Sequence, residues 1–349
     1  MRVMRSLTVV LLVGALTNAS AAGPDAAYAW GSEAFVALER TSEAATNAPQ
    51  ADFTAWFSAA YARTPAARLP GWPTLDGALS ARRAALAAER DLARRAALAR
   101  ETAAWLHHTV KVIIPKFSLT QGFEFTNAVR YGTRQCLLQS VVLAALMQRV
   151  GLDAGIAMVW KNERGQESNL GHVVTVLRLP GGRDVLVDAS DPQPFMRHQG
   201  LLVRVPRGGG HAYRFVAPRY ASDGSITAYV DPSGRAVPPA QVGWLDGAYV
   251  RSQFEYYRGE RAPGGFMGPS TPAGLNASAQ HLRRAAQESA QNPLAALVLA
   301  HVERKQGQLV AARAQYVRAA NLYRAAGHVP AGVRAALAWA QGQTQEQGQ

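Results

Sequence analysis

Three residues have the types and the order that nucleophilic amide chemistry requires: Cys136, His172 and Asp188. Cys136 is the single cysteine of the 349 residues, so it has no partner within the chain for a disulfide. A thiol attacks a carbonyl carbon as thiolate, and a helix N-terminus or a neighbouring imidazolium favours that form. It also needs a histidine to accept its proton and a third group to orient that histidine. Cys136 stands in "YGTRQCLLQSVVLAALM", where a polar turn meets an apolar run. His172 opens the run "HVVTVLRL" and Asp188 closes "DVLVD". The turn "LPGGRD" between those runs makes them a hairpin, which places His172 and Asp188 side by side.

The elements around these residues follow from period and composition. Leu137, Leu138, Val141, Val142, Leu143, Leu146 and Met147 surround a helix over Cys136–Arg149 on nearly every side, which predicts a buried helix that Gly151 stops. The period then changes to that of strands at 155–160, 172–179 and 184–188, with further strand-like runs "LLVRV", "YRFVA" and "SITAYV" up to residue 230. A buried helix followed by an antiparallel sheet is an α+β arrangement. Packing that helix on the sheet would bring Cys136 against His172.

The flanking regions carry other signals. Arg2 and Arg5, the apolar run Leu7–Leu16 and the small residues Ala19-Ser20-Ala21 have the layout of a signal peptide over residues 1–21. This predicts a secreted, periplasmic or cell-envelope protein. Residues 22–104 read as an N-terminal helical region, and 78–108, rich in strong helix formers, reads as one long helix that runs just past its end. Residues 258–278 are rich in Gly, Pro and Ser and read as a linker. In the helical segment 279–349, Leu299, Ala300, Gly307, Leu309, Ala312, Tyr316 and Ala319 are spaced so that the segment resembles a tetratricopeptide repeat, a helical hairpin of the kind that binds other proteins. One clear repeat cannot bury its own faces, so it must pack on its neighbours.

A cysteine opening an apolar helix, "GLDAG" after it, a strand, then "GHVVTVLRL" and "DVLVDASDP", resembles the transglutaminase-like, papain-like cysteine superfamily. The resemblance covers about residues 105–195 and implies a transglutaminase-like domain over 105–257. It implies a triad in which Cys136 is the nucleophile, His172 the general base and then acid, and Asp188 the orienting group. Asp191, three residues on, is an alternative acid. The backbone N–H of Cys136, with Gln135 or Gln121, would then supply the oxyanion donors. Leu137 stands where the family often has Trp after the cysteine, and Val173-Val174 where Ala-Trp often follows the histidine. The implied activity is an amide hydrolase or acyltransferase working through a thioester, with hydrolysis of a peptide or isopeptide first. The alternative is a catalytically inactive transglutaminase-like and tetratricopeptide-like binding module of the envelope.

Composition narrows the partners. Lys and Arg number 37 against 24 Asp and Glu, a net charge of +13, and only four of the basic residues are lysine. The arginines are spread along the chain with no aromatic-basic motif, which argues against nucleic acid as the main partner. A protein or peptide substrate, such as a cell-wall peptide, and a protein partner for the C-terminal helices are the expected partners. One cysteine and scattered histidines give no metal-ligand spacing, so no metal and no cofactor are expected. After the first 21 residues no apolar run reaches the length of a membrane span.

Overall fold

Four helices open the fold, each started by a short polar side chain: α1 (Glu33–Thr46), α2 (Phe53–Arg63), α3 (Leu75–Ala88) and α4 (Leu92–Ile113). Ser32, Asp52, Thr74 and Asp91 each accept a hydrogen bond from the backbone N–H three residues on, which satisfies a donor that the helix leaves open. The protein is described by a computed structural model over residues 27–47, 52–207 and 210–342, and the expected signal peptide lies outside these residues. The single helix expected over 78–108 is two helices. Asp91 caps a new helix through Arg94 N–H at 2.8 Å, and the chain breaks at Glu89-Arg90. Strong propensity on both sides concealed a cap in the middle.

The chain then approaches the cysteine through β1 (Lys116–Phe117), α5 (Phe125–Tyr131) and β2 (Thr133–Arg134), and α6 (Cys136–Arg149) follows. β1 and β2 pair in parallel, so the residues just before Cys136 are tied to the end of α4. Gly122 lies under this ladder so closely that a Cβ there would fall 2.2 Å from the Arg134 carbonyl oxygen. In α6, every residue from Cys136 to Met147 is buried, and Gly151, with φ +83°, turns the chain after it.

Eight strands follow: β3 (Asp153–Lys161), β4 (Glu167–Arg178), β5 (Asp184–Val187), β6 (Phe195–Met196), β7 (Gly200–Arg207), β8 (Gly210–Tyr220), β9 (Ile226–Val230) and β10 (Ala236–Val237). They pair antiparallel in the order β10-β9-β8-β7-β3-β4-β5-β6, and Asp184 pairs with Ile226 to bring β5 onto β9 and close the sheet into a barrel. Alternation along β4 then has two destinations. Val173 and Leu177 join the core beneath α6, while Val174 and Val176 join a second core inside the barrel with Leu201, Val203 and Trp244. This is an α+β fold with a helix packed on an antiparallel sheet.

Five helices complete the described chain: α7 (Gly247–Glu260), α8 (Pro272–Glu288), α9 (Pro293–Lys305), α10 (Leu309–Ala326) and α11 (Ala331–Ala340). Residues 258–278, expected as a linker, hold the end of α7, a packed turn and the start of α8. Ala262 is buried in this stretch, Thr271 N–H donates to the Gly264 carbonyl at 2.7 Å, and Ser278 Oγ donates to that of Gly259. The Gly and Pro residues there shape a tight turn rather than a flexible tether. α9 and α10 form a helical hairpin through Gly307, with Ala300, Ala312, Tyr316 and Ala319 buried. Leu309, read as one of its spacing residues, is the first residue of α10 and is exposed. The C-terminal helices share one continuous core with α6 and the N-terminal helices. No helix among the described residues is long and apolar enough to cross a membrane.

Candidate active site around Cys136

Cys136 is the first residue of α6, and Gln135 before it is the N-cap with extended backbone and no side-chain capping bond. The first amides of α6 are therefore left uncapped by a side chain, next to the thiol. The thiol is nearly enclosed, with Cys136 only 6% exposed. Enclosure by itself disfavours a thiolate. Here it is outweighed by hydrogen bonding and charge from His172, with help from the Tyr257 hydroxyl and the Val173 N–H, so the thiol pKa is held below its ordinary value.

His172 lies in β4, opposite Val159 of β3. Its Nε2 meets Asp188 Oδ2 at 2.7 Å, and its side chain remains about a quarter exposed, at 26%. With Nε2 engaged by Asp188, Nδ1 is the atom left for Cys136. Burial disfavours the imidazolium, but Asp188 on one side and the Cys136 thiolate on the other overcome this and raise the His172 pKa. The two shifts are one fact seen from both partners: the pair favours thiolate and imidazolium over thiol and neutral imidazole.

Asp188 follows β5 directly. The hairpin turn at Gly181 and Gly182, both with positive φ, sets β5 beside β4 so that Thr175 pairs with Val187. The carboxylate is buried, which opposes its charge. Three donors outweigh that cost and hold it far below the usual carboxylate range: His172, His198 Nε2 at 3.0 Å on the same Oδ2, and Ser190 N–H on Oδ1 at 2.9 Å. Asp191 is not part of this contact. Its side chain accepts from Gln193 N–H, and its carbonyl takes His107 Nε2 and Lys111 Nζ from α4. His107 also meets the Asp188 carbonyl at 3.2 Å, so α4 holds the loop that presents the carboxylate.

A second chain of contacts fixes the thiol end. Arg134 Nε donates to Gln139 Oε1 at 3.0 Å, and Gln139 Nε2 donates to Ser190 Oγ, so the first turn of α6 is joined to the Asp188 loop. Gln135 is buried and its Oε1 has no hydrogen-bond partner. Gln121 is exposed, its N–H held by Ser118 Oγ and its carbonyl by Asn127. Neither glutamine side chain hydrogen-bonds the thiol among the described residues. Tyr257 of α7 does, with its hydroxyl 3.6 Å from Sγ.

Sequence reasoning missed His198 and Tyr257. His198 lies in a loop with no periodicity, and Tyr257 is 121 residues from the cysteine on α7, a helix not expected from the sequence. His172, Asp188 and His198 each offer one ligand atom within 4.8 Å of the others and form a donor set that suits a transition metal. In this structure the three side chains are spent on each other through the two hydrogen bonds to Oδ2. The assembly is a cysteine–histidine–aspartate constellation on an α+β scaffold. No protein-family model matches the chain, and no match to it was found among curated proteins or solved structures.

Proposed function

We propose that the protein is a transglutaminase-like cysteine enzyme that cleaves amide bonds through a thioester. The observation that carries this reading is His172, bonded to Asp188 at 2.7 Å and electrostatically linked to the Cys136 thiol, whose ionised form it favours. In the proposed cycle the thiolate adds to an amide carbonyl carbon, and the carbonyl electron pair moves to oxygen. His172 gives its proton to the amide nitrogen, the C–N bond breaks, and an amine leaves a thioester on Cys136. His172 then takes a proton from water, the hydroxide adds to the thioester, and collapse releases a carboxylic acid and restores the thiolate. An amine in place of water would give acyl transfer. Hydrolysis is preferred because water needs no binding site of its own.

The apolar run Leu7–Leu16 with its basic start supports an exported protein, and a peptide or isopeptide of the cell envelope is the substrate class that goes with it. The hairpin of α9 and α10 supports a tetratricopeptide-like role in holding a protein partner. A catalytically inactive binding module is the rival reading, and the near-complete burial of the thiol favours it. Peptide amides and cell-wall peptides incubated with the wild type and with Cys136→Ala distinguish the two. Release of amine by the wild type alone is expected; equal release by both, or none from any substrate in the panel, contradicts the enzyme reading.

A further inference from the structure

Tyr257 projects from α7 to the thiol and is held rigidly there. Phe123 stacks on its ring with centroids 5.7 Å apart, and the Arg261 guanidinium lies 4.3 Å from its centroid. The ring is buried, and Cys136 Sγ is the hydroxyl's one hydrogen-bond partner among the described residues. A sulfur at 3.6 Å is a weak acceptor for a fully buried phenol. We propose that Tyr257 is the side-chain oxyanion donor of this site, acting on the tetrahedral adduct that forms on Cys136; the inference rests on the active-cysteine reading above.

The geometry supports the assignment. When Sγ bonds to a carbonyl carbon, the oxygen that gains charge sits two covalent bonds from the sulfur. A hydroxyl 3.6 Å from Sγ can meet that oxygen at an ordinary donor distance of about 2.7–3.1 Å. The uncapped N-terminus of α6 supplies the second donor, the Cys136 N–H. Burial and the neighbouring Cys136 charge keep the phenol protonated far above its ordinary range, so it remains a donor wherever the thiolate exists. The donor comes from α7, so the site is complete only when that helix is docked.

Two reagents separate this role from a structural one. Iodoacetamide alkylates Cys136 by displacing iodide, with no charge developing on a carbonyl oxygen. p-Nitrophenyl acetate acylates it through a tetrahedral adduct: the S–C bond forms, the carbonyl pair moves to oxygen and returns, and the aryl C–O bond breaks to release p-nitrophenolate. Both rates are measured on the full protein and on Tyr257→Phe, each at its own pH plateau. The expected result is acylation slowed by about 10²-fold with alkylation changed by less than about twofold. Equal acylation in both proteins overturns the inference while leaving the active cysteine in place. Faster acylation in the variant also overturns it and makes Tyr257 a cover over the thiol. A parallel loss in both assays overturns it in favour of a structural role. A wild-type thiol that alkylates no faster than a free thiol at neutral pH sinks the active-cysteine reading and this inference together.

Discussion

His172 and His198 meet at a single oxygen: their Nε2 atoms lie 2.7 and 3.0 Å from Oδ2 of Asp188, with the rings edge to face. Both rings draw on the same carboxylate charge, so the second histidine limits how strongly Asp188 supports the first. Replacing His198 with Leu removes one donor and leaves more of the negative charge for His172. The alkaline step of the Cys136–His172 pair, followed by NMR of the His172 ring protons, should then move to higher pH. His198→Gln, which keeps a donor, should stay close to wild type. Identical titrations in all three proteins would show that His198 does not tune the site.

The pH profile of amide hydrolysis should be a bell whose sides are displaced outward. The Cys136 thiol is below its ordinary value, so the acid limb appears at lower pH than for a free cysteine. His172 is raised, so the proton needed by the leaving amine persists above the ordinary histidine range. Asp188→Asn removes support for the imidazolium and should narrow the bell from both sides. Stability should respond in acid with the opposite sign of dependence. The depressed Asp188 pKa gives stability that is present above the ordinary carboxylate value and lost as pH falls. Urea midpoints of wild type and Asp188→Asn should therefore converge as the solution is acidified, and a constant gap would contradict this.

Docking of α7 depends on a buried ion pair. Arg258 forks onto Glu124, with Nε to Oε1 at 2.7 Å and NH2 to Oε2 at 3.0 Å, and both side chains are only 5% exposed. Arg258 NH1 also holds Glu255, which in turn accepts from His281 of α8. Removing Glu124 strips the buried guanidinium of its two-pronged partner and leaves it the Glu255 carboxylate alone. Glu124→Ala should lower unfolding stability by about 3–5 kcal/mol in urea titrations. A loss under about 1 kcal/mol would show that α7 is held by its apolar face alone.

The elements that carry chemistry were legible because their signals are local. All-round apolarity marked α6, alternation marked β4 and β5, and a Gly-Gly turn fixed their pairing, so the contact of His172 with Asp188 could be reasoned from spacing alone. The break between α3 and α4 was hidden because a single capping aspartate competed with strong helix formers on both sides. Residues 258–278 read as a linker because composition reports turn chemistry but not whether the turn is packed. His198 and Tyr257 were beyond reach for a different reason. Each reaches the site through tertiary packing, His198 from an aperiodic loop and Tyr257 from a helix more than a hundred residues away, and neither position differs locally from an ordinary core residue.

The central claim is that Cys136 is a thiolate sustained by His172, and its alkylation rate tests this most directly. Iodoacetamide should modify wild-type Cys136 near neutral pH faster than a free cysteine, and His172→Ala should react at least about tenfold more slowly, with the rate restored only as pH rises toward the ordinary thiol range. Equal, slow alkylation of the two proteins would contradict the account and leave Cys136 as a buried core residue.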